Sequence, residues 1–161
     1  MAPMTDRSQA RGNGLLDDVS KSIIEQLQQD GRRSYAAIGK AVGLSEAAVR
    51  QRVQRLTEAG VMQIVAVTDP LQLGFGRQAM VGIHVDGAVQ PVADALAQME
   101  EVIYVVMTAG GYDVLCEVVS ASDEELLDLV ARRMRAVEGV RSTETFMYLK
   151  LAKQTYSWGV R

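Results

Sequence analysis

Residues 32–62 hold the pattern that most constrains this chain, two short amphipathic helices separated by a tight turn. Ser34 can cap the first helix, and Gly43 can form the turn because glycine accepts a positive φ. Ser45 can cap the second helix, whose apolar residues recur at the spacing i, i+4 and i+7. Those apolar residues are Val49, Val53 and Leu56. The pattern predicts a helix-turn-helix, in which one helix braces the next against the major groove of DNA.

The outer face of the second helix carries long polar side chains. Arg50 can pair with guanine and Gln51 with adenine, each good pair giving about 1–3 kcal/mol of discrimination. Arg52 lies at the edge of the buried face, where it would contact a phosphate or brace the fold, and Arg55 would contact a phosphate. A plain solvated charge is the alternative for each arginine. The residues predicted to face DNA are Ser34, Ser45, Glu46, Ala47, Arg50, Gln51, Arg52, Gln54 and Arg55.

The net charge of −3 conceals an uneven distribution of charge along the 161 residues. Residues 15–60 hold seven Lys or Arg against six Asp or Glu, a net charge of +1. Residues 77–161 hold eight Lys or Arg against twelve Asp or Glu, a net charge of −4. A weakly basic module can still bind DNA if its arginines share one face, and a dimer doubles those contacts. The 48% apolar content suffices for one domain or two small ones.

Two residue counts exclude several kinds of functional site. Cys116 is the only cysteine, so neither a disulfide within the chain nor a cysteine-based metal site is possible. His84 is the only histidine, which argues against a histidine-rich metal centre, and we expect neither a metal nor a cofactor. No apolar run has the length of a membrane span, and the N-terminus lacks a signal-peptide core. We therefore expect a cytoplasmic protein without a membrane partner.

The residues after position 76 follow a different rhythm, with strand and helix patterns in the order β-α-β-β-α-β. Pro91 suits the first turn of one helix, and Ser122 with Glu125 has the spacing of a capping box at the start of the other. The expected strands cover residues 79–85, 102–109, 114–119 and 140–151. This order predicts a ferredoxin-like unit. Both helices would cover one face of its sheet, and the other apolar face would form a dimer interface.

The expected fold class is α+β, with two domains. Residues 15–68 are expected to form a winged helix-turn-helix domain and residues 77–161 the ferredoxin-like βαββαβ domain. Residues 69–76 would link them, and residues 1–14 would be a disordered tail. The β-rich segment 61–67 is expected to be the wing or exit strand that leads into the linker.

Short motifs occur in a fixed order across residues 15–153. In the first domain they are Leu16-Asp17, Ile23, Leu27-Gln28, Gly31-Arg32, Leu44-Ser45, Val49, Arg52-Val53, Arg55-Leu56 and Gly60-Val61. In the second they are Gly110-Gly111-Tyr112-Asp113, Gly139-Val140, Thr143, Thr145, Leu149 and Lys153. Together they resemble the Lrp/AsnC (leucine-responsive, feast/famine) family of bacterial and archaeal transcription regulators. The chain departs from the family pattern at Ser20, Met62 and Ala109, where Asp, Ile and Thr are usual.

The resemblance implies a second domain, called the RAM domain in that family, in which the loop of residues 110–113 and the fourth strand of a neighbouring subunit line a pocket for a free amino acid. The effector-binding residues carried over by matching positions are Gly110, Gly111, Tyr112, Asp113, Thr143 and Thr145. Glycine lets backbone N–H groups approach a carboxylate and Asp can hold an ammonium, so the loop suits both groups of an amino acid. The alternative is structural, because glycines form a two-residue hairpin turn and threonine is a good strand residue.

These features predict a sequence-specific DNA-binding transcription regulator, not an enzyme, whose DNA binding or assembly responds to an amino acid. A homodimer would assemble further into tetramers or octamers. One alternative is an architectural protein that binds any double-stranded DNA in a salt-sensitive way and has no effector. Another is an enzyme, because decarboxylases acting on haem precursors have a similar two-domain architecture. The single histidine argues against that enzyme.

Overall fold

A computed structural model of the protein describes residues 15–156 and 159–160. The tail predicted for residues 1–14 lies outside the described residues. The described residues divide into two compact units, one formed by residues 15–66 and by those described from Lys153 onward, the other by residues 67–152. The domain bounds expected from the sequence, residues 15–68 and 77–161, stay a prediction. None of the helices in the described ranges combines the length and the apolar character that a membrane crossing requires.

Three helices form the first unit: α1 (Asp18–Gln29), α2 (Tyr35–Val42) and α3 (Glu46–Glu58). Each begins at a side-chain cap that accepts a hydrogen bond from the backbone N–H three residues later. The core between the helices consists of Ile23, Leu27, Ile38, Val49 and Val53. Gly43 ends α2 at a φ of 74°, in the left-handed region that the predicted turn requires. The predicted helix-turn-helix is confirmed.

The wing strand predicted for residues 61–67 does not form in the single chain. Residues 61–69 have no regular secondary structure, and the apolar residues among them are exposed except for Met62, which packs against the core of the first unit. A strand needs a neighbouring backbone to complete its hydrogen bonds, and the sheet in the described part of the chain takes its strands from the other unit. The β-branched composition of the segment therefore indicated a propensity for strand conformation, but it did not indicate a neighbouring strand to pair with.

The second unit contains an antiparallel sheet of four strands in the order β2-β3-β1-β4. The strands are β1 (Arg77–Val85), β2 (Val102–Met107), β3 (Val114–Ser120) and β4 (Val140–Met147). A helix, α4 (Val89–Leu96), connects β1 to β2. A second helix, α5 (Asp123–Asp128), continues into a π-helical turn, Leu129–Met134, before β4. This connectivity and strand order confirm the predicted ferredoxin-like unit.

Two strands are shorter than predicted. β2 ends at Met107, and residues 108–113 form a six-residue loop before β3, in place of the two-residue turn expected from the glycines. β4 ends at Met147, which pairs with Ala79 near the start of β1. Because β1 begins at Arg77, residues beyond the end of β4 have little neighbouring strand left to pair with.

The sheet has one face covered by the helices. Alternate residues of β1, namely Ala79, Val81 and Ile83, are buried with residues of α4, α5 and the π-helical turn. Cys116 of β3 belongs to the same core, and burial raises the pKa of its thiol to about 12. Apolar residues at alternate positions of β1 therefore form the face that packs against the helices.

The opposite face of the sheet is uncovered by helices, and we call it the open face. Successive side chains of a strand point to opposite faces, so the residues between the buried ones belong to it. By register it includes Met80, Gly82, His84, Tyr104, Leu115, Glu117, Glu144 and Phe146. Tyr104 and Phe146 are 51% and 43% exposed, which leaves aromatic surface in contact with solvent in the single chain.

Candidate nucleic-acid interface and effector loop

The outer face of α3 is fixed by the cap of the helix and by the face that it buries. The Ser45 Oγ accepts a hydrogen bond from the Ala48 backbone N–H at 3.2 Å and so begins the helix. Val49, Val53 and Leu56 point into the core. Helical periodicity then turns Ala47, Gln51 and Gln54 outward, and all three are exposed. These three of the predicted DNA-facing residues therefore share one accessible face.

Several predicted contact residues already bind other groups of the same unit. The Ser34 Oγ accepts a hydrogen bond from the Ala37 backbone N–H at 3.2 Å, so both predicted serines are helix caps. The Gln54 side chain donates to Glu58 at 2.8 Å along the exposed face. Arg55 is exposed on the flank of α3. These side chains lie at the surface of the unit. Their local hydrogen bonds are compatible with the approach of a DNA phosphate backbone.

Arg50 is exposed and has two partners at the surface. Its Nη2 donates to the Glu46 Oε1 at 2.8 Å, one helical turn earlier in α3. Its Cζ also lies 5.4 Å from the centroid of the Tyr35 ring, at the start of α2. Sequence reasoning named Glu46 without this pairing and assigned Tyr35 no contact with a DNA-facing residue. The i, i+4 spacing of Glu46 and Arg50 was the available signal.

Arg52 acts as a brace inside the first unit. Its Nη1 donates to both carboxylate oxygens of Asp17, at 2.8 and 2.7 Å, and to the Ser20 Oγ at 2.9 Å. The hydrogen bond from Arg52 is the main cause that lowers the pKa of Asp17 to about 2. Of the two roles predicted for Arg52, the structure shows the brace. Ser20, a departure from the family pattern, is one of the two groups that Arg52 binds.

The candidate effector loop, residues 108–113, joins β2 to β3 and is closed at its base by Thr108. The Thr108 backbone N–H donates to the Asp113 carbonyl at 2.9 Å, and its hydroxyl donates to the Tyr112 carbonyl. Gly110 and Gly111 are exposed at the tip. A Cβ added at either glycine would meet no atom of the described residues within 4 Å, so the single chain does not require glycine there.

Asp113 fixes the end of the loop to β1. Its backbone N–H donates to the Ile83 carbonyl at 3.0 Å, and its Oδ2 accepts a hydrogen bond from the Val85 backbone N–H at 2.8 Å. The hydrogen-bond ladder between β1 and β4 shifts register between His84 and Val85. The Asp113 carboxylate therefore accepts a hydrogen bond from a backbone N–H that lies next to this shift. The structure thus gives Asp113 a role in the fold that uses one of its two oxygens.

Tyr112 lies across the open face of the sheet. Its ring packs directly on Gly82, where an added Cβ would lie 2.6 Å from the ring. It also neighbours the rings of His84 and Phe146, at centroid distances of 5.0 and 5.9 Å. The hydroxyl donates to Glu144, and this hydrogen bond raises the pKa of Tyr112. Sequence reasoning missed this cluster because its members come from three separate parts of the chain.

The two threonines of the predicted effector set lie on the other face of their own sheet. Thr143 pairs with Ile83 and Thr145 with Val81, both of which are buried beneath the helices. The Thr143 Oγ1 accepts a hydrogen bond from Arg135 at 3.1 Å. Within one chain the structure therefore brings together Gly110, Gly111, Tyr112 and Asp113, and it places both threonines away from Tyr112.

Two family models match the chain. An AsnC-type helix-turn-helix domain matches residues 16–57. A C-terminal dimeric alpha+beta barrel domain of AsnC-type regulators matches residues 76–161. The first match covers the helix-turn-helix, and the second covers all four strands of the sheet.

Named relatives match along most of their length. The HTH-type transcriptional regulator FL11 of Pyrococcus furiosus is 38% identical over 147 residues, covering 88% of this chain and 95% of that protein. The HTH-type transcriptional regulator Ptr1 of Methanocaldococcus jannaschii is 29% identical over 141 residues, covering 86% of this chain and 95% of that protein. Both are similar to this chain in sequence and in overall extent.

Solved structures share the fold. The leucine response regulatory protein LrpA of Mycobacterium tuberculosis has a TM-score of 0.78 and 32% identity, covering 86% of this chain and 96% of its own. AsnC of E. coli has a TM-score of 0.73 and 25% identity, covering 88% and 97%. The transcriptional regulator NMB0573 of Neisseria meningitidis, solved in complex with L-Met, shares the fold at a TM-score of 0.77 and 23% identity, covering 91% and 96%. With both domains matched, the chain belongs to the Lrp/AsnC family of helix-turn-helix, DNA-binding transcriptional regulators.

Proposed function

We propose that this regulator recognises a specific DNA sequence through α3 and that a small effector, an amino acid, changes its DNA binding or its assembly. The observation that carries the proposal is the exposed polar face of a capped helix in a helix-turn-helix. Arg50, Gln51 and Gln54 offer donors and acceptors from that face. Arg55 flanks it, where a cation would meet a phosphate.

The proposed regulator works as a homodimer that assembles further into tetramers or octamers. The open face of the sheet carries aromatic side chains that are about half exposed in the single chain, such as Tyr104 and Phe146. Apolar surface of this kind supports an interface. The family model that matches residues 76–161 is itself described as a dimeric domain. Two DNA-binding units in one dimer would double the contacts made by a weakly basic module.

The proposed effector site is the loop of residues 108–113. Exposed glycines at its tip leave backbone N–H groups accessible to a carboxylate, and the second oxygen of Asp113 could bind an ammonium. Thr143 and Thr145 would complete the site only from a second copy, because they lie on the other face of their own sheet. The complex of the Neisseria regulator with L-Met, which shares this fold, supports an amino acid as the ligand class.

The DNA-binding part is tested by selection from a pool of random duplexes with the full chain. Enrichment of one motif with two related halves is expected, since a symmetric dimer reads paired half-sites. Gln51→Ala should alter the bases enriched, whereas Arg132→Ala, an exposed arginine of the second unit, should not. Salt-sensitive retention of all sequences without enrichment would favour the architectural alternative.

The effector part is tested by a thermal-shift screen of the twenty amino acids and their common keto acids. A specific ligand should raise the melting temperature in a concentration-dependent way, because it binds only the folded protein. The active compound is then added to the regulator on its selected DNA, with the assembly state followed by light scattering. The effector proposal would be contradicted if no compound raised the melting temperature, or if a compound that raised it changed neither DNA binding nor assembly.

A further inference from the structure

Arg50 is held between two side chains that restrict where its guanidinium can lie. The Tyr35 ring centroid lies 5.4 Å from the Cζ, and Glu46 accepts a hydrogen bond from the Nη2 at 2.8 Å. Tyr35 is the first residue of α2 and Glu46 the first of α3, so both lie in the opening turns of the motif helices. We propose that Tyr35 and Glu46 are positioning residues that set the base specificity of Arg50, an inference that rests on the proposed role of Arg50 as a base reader.

The Tyr35 ring packs against the hydrophobic core of the first unit. The side chain is half-buried and packs against the core of the first unit, which contains Ile38 and Val49. A cation over an aromatic ring is attracted by the negative charge of the ring face. A ring that packs against the core therefore favours those rotamers of Arg50 that keep the contact before DNA arrives. Restricting Arg50 to those rotamers lowers the entropy cost of binding in that one orientation.

Glu46 limits a different property of Arg50, its charge. The pair is exposed, so its contribution to folding stability is small. Its carboxylate does offset the positive charge that Arg50 would otherwise offer to any phosphate. An arginine paired with a carboxylate is attracted less strongly to the phosphates of DNA. The affinity of the protein for DNA then depends more on the base that Arg50 contacts. Glu46 would thus raise the ratio of specific to non-specific binding.

The three contacts of Arg50 are chemically compatible. A guanidinium carries five N–H donors, and bidentate pairing with a guanine uses two of them. The hydrogen bond to Glu46 uses another, and the Tyr35 ring meets the group without consuming a donor. Arg50 can therefore keep both positioning contacts while it reads a base. The geometry that is present without DNA is the geometry that the complex could retain.

The test measures equilibrium affinity for the selected operator and for duplexes with one base pair changed at a time. Arg50→Ala identifies the base pair at which discrimination is lost. Tyr35→Leu, which keeps apolar volume in the core, should lower discrimination at that base pair about two- to fivefold, the range expected of an exposed cation–π contact. Tyr35→Phe should leave it unchanged. Glu46→Gln should lower it as well and should raise affinity for unrelated DNA.

Two controls separate positioning from a general effect on folding. Asp128→Asn removes the carboxylate of another exposed i, i+4 pair, with Arg132, in the second unit, and should change neither affinity nor discrimination. In the Arg50→Ala background, Tyr35→Leu should have no further effect on discrimination. Equal weakening on all duplexes, or effects that add to Arg50→Ala, would overturn the inference alone. If Arg50→Ala changes discrimination nowhere, both this inference and the proposed base-reading role fail.

Discussion

The Asp17 carboxylate and the Arg52 guanidinium tie the start of α1 to the middle of α3, across 35 positions of sequence. The same carboxylate caps α1, because its Oδ1 accepts a hydrogen bond from the Ser20 backbone N–H at 2.7 Å. One acidic side chain thus both begins the first helix and fixes the orientation of the helix that carries the proposed DNA contacts.

Removal of the brace should destabilise the helix-turn-helix unit more than removal of a neighbouring arginine. Arg52→Ala leaves Asp17 and Ser20 without a shared donor, whereas Arg55→Ala removes an exposed side chain on the flank of the same helix. We expect Arg52→Ala to have a lower melting temperature than the wild type and Arg55→Ala to differ little from the wild type. Thermal unfolding followed by circular dichroism measures both. Equal melting temperatures for the two variants would contradict the brace.

The same pair makes stability depend on pH in the acid range. The folded-state pKa of Asp17 is lowered from 3.8 to about 2, so the unfolded chain binds this proton more readily. The stabilisation is therefore complete above about pH 5 and is lost as the pH falls through about 4 to 2. Asp17→Asn keeps a capping oxygen and removes the charge, so its melting temperature should fall less steeply over that range. Parallel curves for the two proteins would refute the role of the pair.

Tyr112 and Gly82 form a contact that admits no larger side chain. A Cβ at position 82 would lie within 2.6 Å of the Tyr112 ring, so Gly82→Ala should displace the ring and destabilise the second unit by about 1–3 kcal/mol. Tyr112→Ala removes the obstructing ring, and the double variant should lose less stability than the sum of the two single changes. Denaturant unfolding gives the free energy of unfolding of the wild type, the two single variants and the double variant. Strict additivity would show that the ring and the glycine do not meet.

We expect two substitutions of Asp113 to distinguish its structural role from its proposed role in binding the effector. Asp113→Asn keeps an oxygen that can accept the hydrogen bond from the Val85 backbone N–H, and it removes the negative charge. Asp113→Ala removes both and should lower the melting temperature without any ligand. With the effector from the screen, neither variant should show the wild-type shift. A full shift in Asp113→Asn would show that the charge does not bind the ammonium.

Local features of this chain could be read from its sequence. The helix caps at Ser34 and Ser45 and the turn at Gly43 depend on residues a few positions apart, and all three occur as expected. The alternation that places Val81 and Ile83 in the core also depends only on neighbouring residues.

Features that join distant residues could not be read in the same way. Tyr112 meets Gly82 and Glu144 because three strands lie side by side, and the sequence shows neither their register nor the path of the loop. Thr143 and Thr145 were assigned to the effector site from the fourth strand of a neighbouring subunit, and neither the register within one sheet nor the sequence shows where that subunit lies. The segment 61–67 has the composition of a strand, but a strand also needs a partner that composition does not reveal.

The central claim is that the outer face of α3 reads DNA sequence, and one measurement tests it most directly. Affinities of the wild type, Arg50→Ala and Arg132→Ala are compared on the selected operator and on a shuffled duplex at fixed salt. Arg50→Ala should lower the ratio of the two affinities about 5- to 150-fold, the range for loss of one good base contact, and Arg132→Ala should leave the ratio at the wild-type value. An unchanged ratio for Arg50→Ala, or an equal loss for both variants, would contradict base reading by this face.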